Sequence, residues 1–361
     1  MGGSPLDRLC FANVGVGESV PGISYKSRRR FMRWRVHRKL GAELSRIDSR
    51  FRGFAGVLAL AALSPLAATA AARHDISEIC GACKVEKFAT CGGFLEGATV
   101  DAAGTLWVVD LLSGNVSTVN EGQCAVQFNT SGAPNGAKFH KDGRLFLTDK
   151  ERGILAYDPA SKKVSIVIDH YKAERLRGVN DLVFDAAGGL YFTEPYGSSV
   201  LKANGRVFYL PPESPANLVL MGDTFAFPNG IALSPDGTAL YVGEYAAKRI
   251  LSLPSMKATN NFEVAAVFSH IVGGVGPDGM AVDSEGNLYS AVFKGREVFV
   301  SDADGFPYGS ILLPKEAGPM VTNLAFRQGY LYFTEGSKGE VWRVKTPKSP
   351  PASSQDLRRS N

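Results

Sequence analysis

One phrase recurs six times along this chain. "EGATVDAAGTLWVVD" begins at Glu96, "NGAKFHKDGRLFLTD" at Asn135 and "NDLVFDAAGGLYFTE" at Asn180. "NGIALSPDGTALYVGE" begins at Asn229, "DGMAVDSEGNLYSA" at Asp278, and a degraded copy, "TNLAFRQGYLYFTE", at Thr322. The steps between starts are 39, 45, 49, 49 and 44 residues. Each copy opens on a polar residue, usually followed by glycine. An alternating strand, a Gly-containing turn and a second strand rich in Leu, Tyr, Phe and Val come next. Further β-type runs follow, such as "GILAYDP" and "EVFVSD". A repeat of about 40–50 residues holding several short strands marks a β-propeller blade. Solenoids of similar period are helical, and long helical periodicity is absent here. The repeats predict an all-β fold, a six-bladed β-propeller of four-stranded blades over residues 74–346.

The last repeat is one strand short. Strands near 323–327, 330–335 and 340–345 use up the chain, leaving three where four are needed. "CKVEKFAT" (83–90), ahead of the first repeat, is expected to supply the fourth and close the ring, hiding edges that would otherwise pair with other chains. The tail 347–361 is Pro/Ser-rich and charged, and is expected to be disordered.

In a propeller the innermost strand of each blade lines the central channel, so the opening residues of the repeats form a ring at its mouth. That ring is Glu96, Asn135, Asn180, Asn229, Asp278 and Thr322. All six carry oxygen and none is Lys, Arg or His, a donor set suited to a hard cation and best to calcium. Zinc more usually recruits His or Cys. Asn and Asp before a strand also form turns, but Glu is a poor turn residue, and its presence favours a site. The following glycine is read as a point where the backbone bends to aim the polar side chain inward.

The net charge of +5 suggests a nucleic-acid partner until its distribution is considered. Residues 1–73 hold 13 Lys/Arg against 4 Asp/Glu, leaving 27 basic and 31 acidic residues in the body. A phosphate-binding body would have the opposite sign. The leader contains "FAGVLALAALSPLAATAAA", an apolar run over about 54–72 that ends in small residues. It reads as an export signal cleaved near residue 72 and is too short and interrupted for a permanent membrane anchor. The product is expected to be periplasmic or secreted, with no nucleic-acid partner and no membrane contact beyond the signal. "SRRRFMR" (27–33) resembles a twin-arginine motif, but its distance from the apolar run favours a true start at Met32. Cys10 falls in the leader. Cys80, Cys83, Cys91 and Cys124 suit two disulfides in an oxidising compartment, in any of three connectivities. A zinc or redox role for Cys80-x-x-Cys83 is disfavoured, because no second such pair follows.

"EGATVDAAGTLWVVD", "NDLVFDAAGGLYFTEPYG", "PNGIALSPDGTALYVGE" and "GPDGMAVDSEGNLYSA" together resemble the senescence-marker-protein/gluconolactonase/luciferin-regenerating-enzyme family of six-bladed propellers, over roughly residues 90–345. The resemblance implies a calcium-type divalent ion (zinc, manganese or magnesium being alternatives) held by Glu96, Asn180, Asn229 and Asp278. It implies hydrolysis of a lactone, with the metal polarising the carbonyl and Asp278 activating water, or attacking directly as in organophosphatase-like relatives. "FTEPYG" is closest to the bacterial lactonase branch, where Asp stands in place of Glu194, a departure that bears on substrate contacts.

The remaining candidates are placed around that ring. Asn135, Asp181 and Arg177 are expected on the substrate side: Asp181 either as an orienting partner of Asn180 or as a turn residue, Arg177 either as a planar fork for an anionic group or as a solvated surface side chain. Tyr196 and Phe227 are candidates for the pocket floor, and His140 belongs to a turn at the far end of its strand. The partner is then a small-molecule substrate acting on a monomer. The alternative is a non-catalytic propeller that binds a ligand or partner and keeps a structural calcium ion, since fold alone proves no activity. A strictosidine-synthase-like propeller would not need this ring.

Overall fold

In the computed structural model, described for residues 74–212, 217–258 and 264–351, the second strand of every repeat is almost wholly buried. That burial on both faces explains why these strands read as unbroken apolar runs. The first blade pairs Leu95–Val100, Leu106–Asp110, Asn115–Asn120 and Gln123–Asn129, in chain order from the axis outward. The second is Pro134–Phe139, Leu145–Asp149, Gly153–Asp158 and Lys163–Ile168, and the third Leu182–Phe184, Leu190–Glu194, Gly205–Leu210 and Val219–Phe225. The fourth is Pro228–Leu233, Ala239–Glu244, Arg249–Pro254 and Ala266–His270, and the fifth Gly276–Val282, Leu288–Phe293, Glu297–Ser301 and Pro307–Leu312. All pairings within blades are antiparallel, and the innermost strands lie against one another around the axis.

The sixth blade closes the ring as the sequence predicts. Val321–Arg327, Tyr330–Glu335 and Glu340–Lys345 are joined at the outer edge by Val85–Thr90, with Val85 opposite Val344 and Thr90 opposite Glu340. Lys87 Nζ reaches Glu340 at 2.8 Å and Arg343 Nε reaches Glu86 at 2.7 Å across this seam. The cysteines resolve the open pairing: Cys80 is bonded to Cys83, and Cys91 to Cys124. The second bond ties the end of the closing strand to the outermost strand of the first blade. It therefore staples the two ends of the ring.

Apolar packing is divided among six wedges, one between each pair of neighbouring blades. Val109, Leu147 and Leu155 fill the wedge between the first and second, and Tyr191, Val207 and Val242 that between the third and fourth. Ile79, from the helical turn Ser77–Cys80, completes the wedge between the fifth and sixth. Each buried Leu or Ile contributes about 2 kcal/mol. The division leaves the axis free of apolar filling, so polar side chains can occupy it.

Past Lys345 the chain stays on the ring through the described residues. Lys348 Nζ pairs with Glu285 at 2.6 Å, and Ser284 N donates to Ser349 O at 2.8 Å. The leader 1–73, with the export and start-site readings, and the last ten residues lie outside the described residues.

Candidate active site

Five of the six innermost strands lose their register beside the residue that opens the repeat. Pairing shifts between Glu96 and Thr99, Pro134 and Ala137, Pro228 and Ile231, Pro277 and Met280, and Val321 and Leu324. Such bulges re-aim a side chain, and here they occur at the ring position in five blades; in the third, Asn180 precedes the regularly paired strand Leu182–Phe184. All six ring residues are buried.

The glycine after the ring residue meets a second demand beside the bend that its sequence suggests, a bend present at Gly97, where φ is +55°. A Cβ on Gly230 would stand 2.1 Å from Asp278 O, and one on Gly97 would stand 2.5 Å from Asn135 O. Adjacent central strands simply approach too closely for a side chain. Asp181 and Asn323 replace glycine in the third and sixth blades, and they use the space left by their neighbours. A Cβ on Gly136 would meet Asp181 Oδ1 at 2.7 Å, and one on Gly279 would meet Asn323 Cγ at 2.6 Å. Asp181 and Asn323 hydrogen-bond to each other across the axis. Asp181 Oδ1 also accepts from Leu182 N at 2.9 Å and Oδ2 from Ile231 N at 3.4 Å. Asp181 thus ties the third blade to the fourth and the sixth at the channel centre.

Three acids share this small volume. Burial raises the Glu96 pKa well above the carboxylate range, repulsion from Asp278 and Asp181 adds to it, and Lys150 opposes it. Burial likewise raises Asp278, assisted by Asp181 and opposed by Lys150 and by a hydrogen bond from the Asn229 amide. Asp181 is raised by burial and partly relieved by Lys138, whose own pKa burial lowers. Two oxygens of the ring, Glu96 Oε2 and Asn229 Oδ1, are buried with no hydrogen-bond partner. Buried polar atoms are costly when unpaired, and these two belong to the residues expected to hold a cation. Because the Asn229 amide donates to Asp278, its Oδ1 is left to accept a positive charge. The donor set therefore fits a hard divalent ion such as calcium. Among the described residues no group of three or more His, Cys, Asp or Glu could hold a metal, so such an ion would rely on amide oxygens as well as carboxylates.

Other ring positions serve the scaffold. Thr322 Oγ1 bonds Leu95 O at 2.7 Å and the Thr334 hydroxyl at 2.7 Å, so its oxygen is committed. Thr193 Oγ1 donates to Asn229 O at 2.7 Å, and Gly136 N donates to Asn180 O at 2.8 Å, fixing the backbone of both amides. Asn135 is buried in the ring, its backbone carbonyl facing Gly97.

Above the ring, a second layer of acids ends the second strands. Asp110, Asp149, Glu194, Glu244 and Glu335 accept from the backbone N–H of Phe94, Ala133, Arg177, Ala226 and Met320 respectively. These carboxylates tether the segments leading into the ring. Glu194 is one of them, and it also pairs with Arg206. The Arg177 side chain is exposed, with its guanidinium 5.8 Å from the ring centre of half-exposed Tyr196. Phe227, at φ +61°, packs against Tyr245 with ring centres 5.1 Å apart. His140 lies at the opposite end of its strand, 2.9 Å from Asp142. Lys138 and Lys150 were not legible as site residues, since each looks like an ordinary strand or turn lysine.

Comparison with known proteins places the chain among relatives. Residues 94–343 match the family model described as "SMP-30/Gluconolactonase/LRE-like region". A lactonase drp35 from Staphylococcus aureus (strain MRSA252) is 32% identical over 238 residues, covering 63% of this chain and 72% of the relative. The structure of a gluconolactonase from Xanthomonas campestris superposes with a TM-score of 0.65 at 26% identity, covering 75% of this chain and 92% of the other. Regucalcin from Agrobacterium tumefaciens, a calcium-binding protein, shares the fold with a TM-score of 0.60 at 19% identity, covering 74% and 97%.

Proposed function

This chain belongs to the SMP-30/gluconolactonase/LRE-like family, and on that premise we propose that it is a lactonase that opens a cyclic ester with a calcium-type divalent ion at the ring of Glu96, Asn180, Asn229 and Asp278. The observation that carries this reading is the pair of unpartnered buried oxygens, Glu96 Oε2 and Asn229 Oδ1, beside Asp278. A divalent ion bound there would polarise the ester carbonyl and favour the ionised form of Asp278.

The remaining work falls to the chain itself. Asp278, held by the Asn229 amide, accepts a proton from water as the water oxygen bonds to the carbonyl carbon. The carbon–oxygen bond of the ring then breaks, and the proton passes to the leaving oxygen, giving a hydroxy acid. Glu96 and Asn180 supply charge and orientation on the other blades, and Asn323 steadies Asp181 beside them. The disulfides are in keeping with an exported protein.

The test is a panel of simple lactones assayed on chelator-treated protein, with and without added divalent ions. Activity should appear only with the ion and be lost in Asp278→Asn. Full turnover after chelation would rule out the metal. Calcium uptake with every lactone untouched would favour the non-catalytic binding propeller.

A further inference from the structure

Lys150 is placed where the ring has most need of positive charge, yet it does not touch the acids. Its backbone is fixed between two segments entering the ring: Lys150 N donates to Ala133 O at 2.9 Å, and Gly178 N donates to Lys150 O at 3.2 Å. Ala133 and Gly178 each stand two residues ahead of a ring amide, Asn135 and Asn180. Lys150 follows Asp149, which pairs with Pro134, so it leaves the second strand at the level of the mouth. The side chain is half-buried and makes no close ion pair among the described residues. Its field nevertheless reaches both Glu96 and Asp278. The ammonium therefore acts on the two carboxylates without a close ion pair to either.

The charge count gives that placement meaning. Glu96, Asp278 and Asp181 are three acids, met by two cations of the second blade, Lys138 and Lys150. Lys138 serves Asp181, within the channel. A divalent ion at Glu96 and Asp278 brings two further positive charges to acids that Lys150 already screens. A lysine there opposes metal binding, and a site built only to hold a cation would do better without it.

We propose that Lys150 is a substrate-facing cation of the site, one that weakens metal binding while meeting the negative charge that builds on the lactone's carbonyl oxygen. This rests on the lactonase reading above. Charge development in a partly desolvated site is where a fixed cation acts most strongly. Lys150, and not the exposed Arg177, is the cation near enough to the acids to do this.

The experiment compares wild type, Lys150→Met and Lys150→Arg in the full chain. Calcium binding is measured by calorimetry, and kcat/KM on a hydrolysed lactone at saturating calcium. Lys150→Met should bind calcium roughly tenfold more tightly while kcat/KM falls about 100-fold. Lys150→Arg should stay near wild type on both. The opposed directions are the signature, because a merely structural lysine would not tighten metal binding while slowing turnover. Either change without the other, or neither, overturns the proposal. A wild type that takes up no calcium defeats the lactonase-metal reading instead. In that case Lys150→Met should still melt below wild type in chelator, and an unchanged Tm overturns the placement of Lys150 against the acids.

Discussion

Asp181 and Asn323 meet across the channel axis, reaching inward from blades on opposite sides of the ring. Neither could do so if the neighbouring blades carried side chains at Gly136 and Gly279. With Lys138 as its counter-charge, Asp181 forms the centre of a polar plug in a molecule whose apolar packing lies elsewhere.

Removing Asp181 should therefore strand Lys138. Asp181→Ala is expected to cost about 2 kcal/mol in urea unfolding, since it removes the acceptor of Leu182 N, Ile231 N and the Asn323 amide and the charge that steadies Lys138. Adding Lys138→Met should recover part of the loss. A double variant whose cost is the plain sum of the singles would show that the two side chains do not interact.

Gly230 is the tightest of the four glycines that follow ring residues. Gly230→Ala places a carbon 2.1 Å from a backbone oxygen, which no rotamer can relieve. We expect a loss of about 3 kcal/mol and a marked fall in calcium affinity, because Asp278 owns that oxygen. Thermal unfolding and calorimetry read the two effects.

The pH dependence of the metal-free protein follows from its buried acids. Burial, then mutual repulsion, raises Glu96 and Asp278, so the native state holds their protons to higher pH than the unfolded chain does. Stability in chelator should fall as pH rises from about 4 through the raised values, because the native state then binds more protons than the unfolded one. Asp278→Asn should flatten this slope. Calcium binding should release protons and weaken as pH is lowered. A Tm that climbs over the same range in chelator would contradict the raised values.

The Cys91–Cys124 bond spans 33 residues and links the two ends of the ring. Its removal in Cys91→Ala/Cys124→Ala should cost roughly 3–4 kcal/mol, seen in denaturant midpoints. Turnover at low temperature should be nearly unchanged, since the bond joins an outer strand to the end of another.

The architecture was legible because a propeller repeats itself: Glu96, Asn180, Asn229 and Asp278 open copies of one phrase, and the missing strand of the last copy pointed to 83–90. The ring's chemistry was legible in its oxygen-bearing residues. The crowding at the glycines was not, because a close approach by the next blade leaves no trace in a local reading, whose expected bend is present at Gly97 alone. Asp181 and Asn323 were visible as exceptions to the glycine pattern, but their meeting depends on blades opposite in space. Lys150 was hidden by its place after "FLTD", where a lysine suits a surface turn. The cysteine pairing stayed open until the closing strand set Cys91 beside Cys124.

The seam of the sixth blade also dictates an order of events. Lys87 and Glu340, partners across it, are 253 residues apart, so the first strand made must wait for nearly the last. During that wait Val85–Thr90 is an orphan ribbon able to pair with the wrong neighbour. A chain cut short before Glu340 would keep five whole blades and still present two unsatisfied borders, so truncation here should yield aggregates and not a smaller working ring.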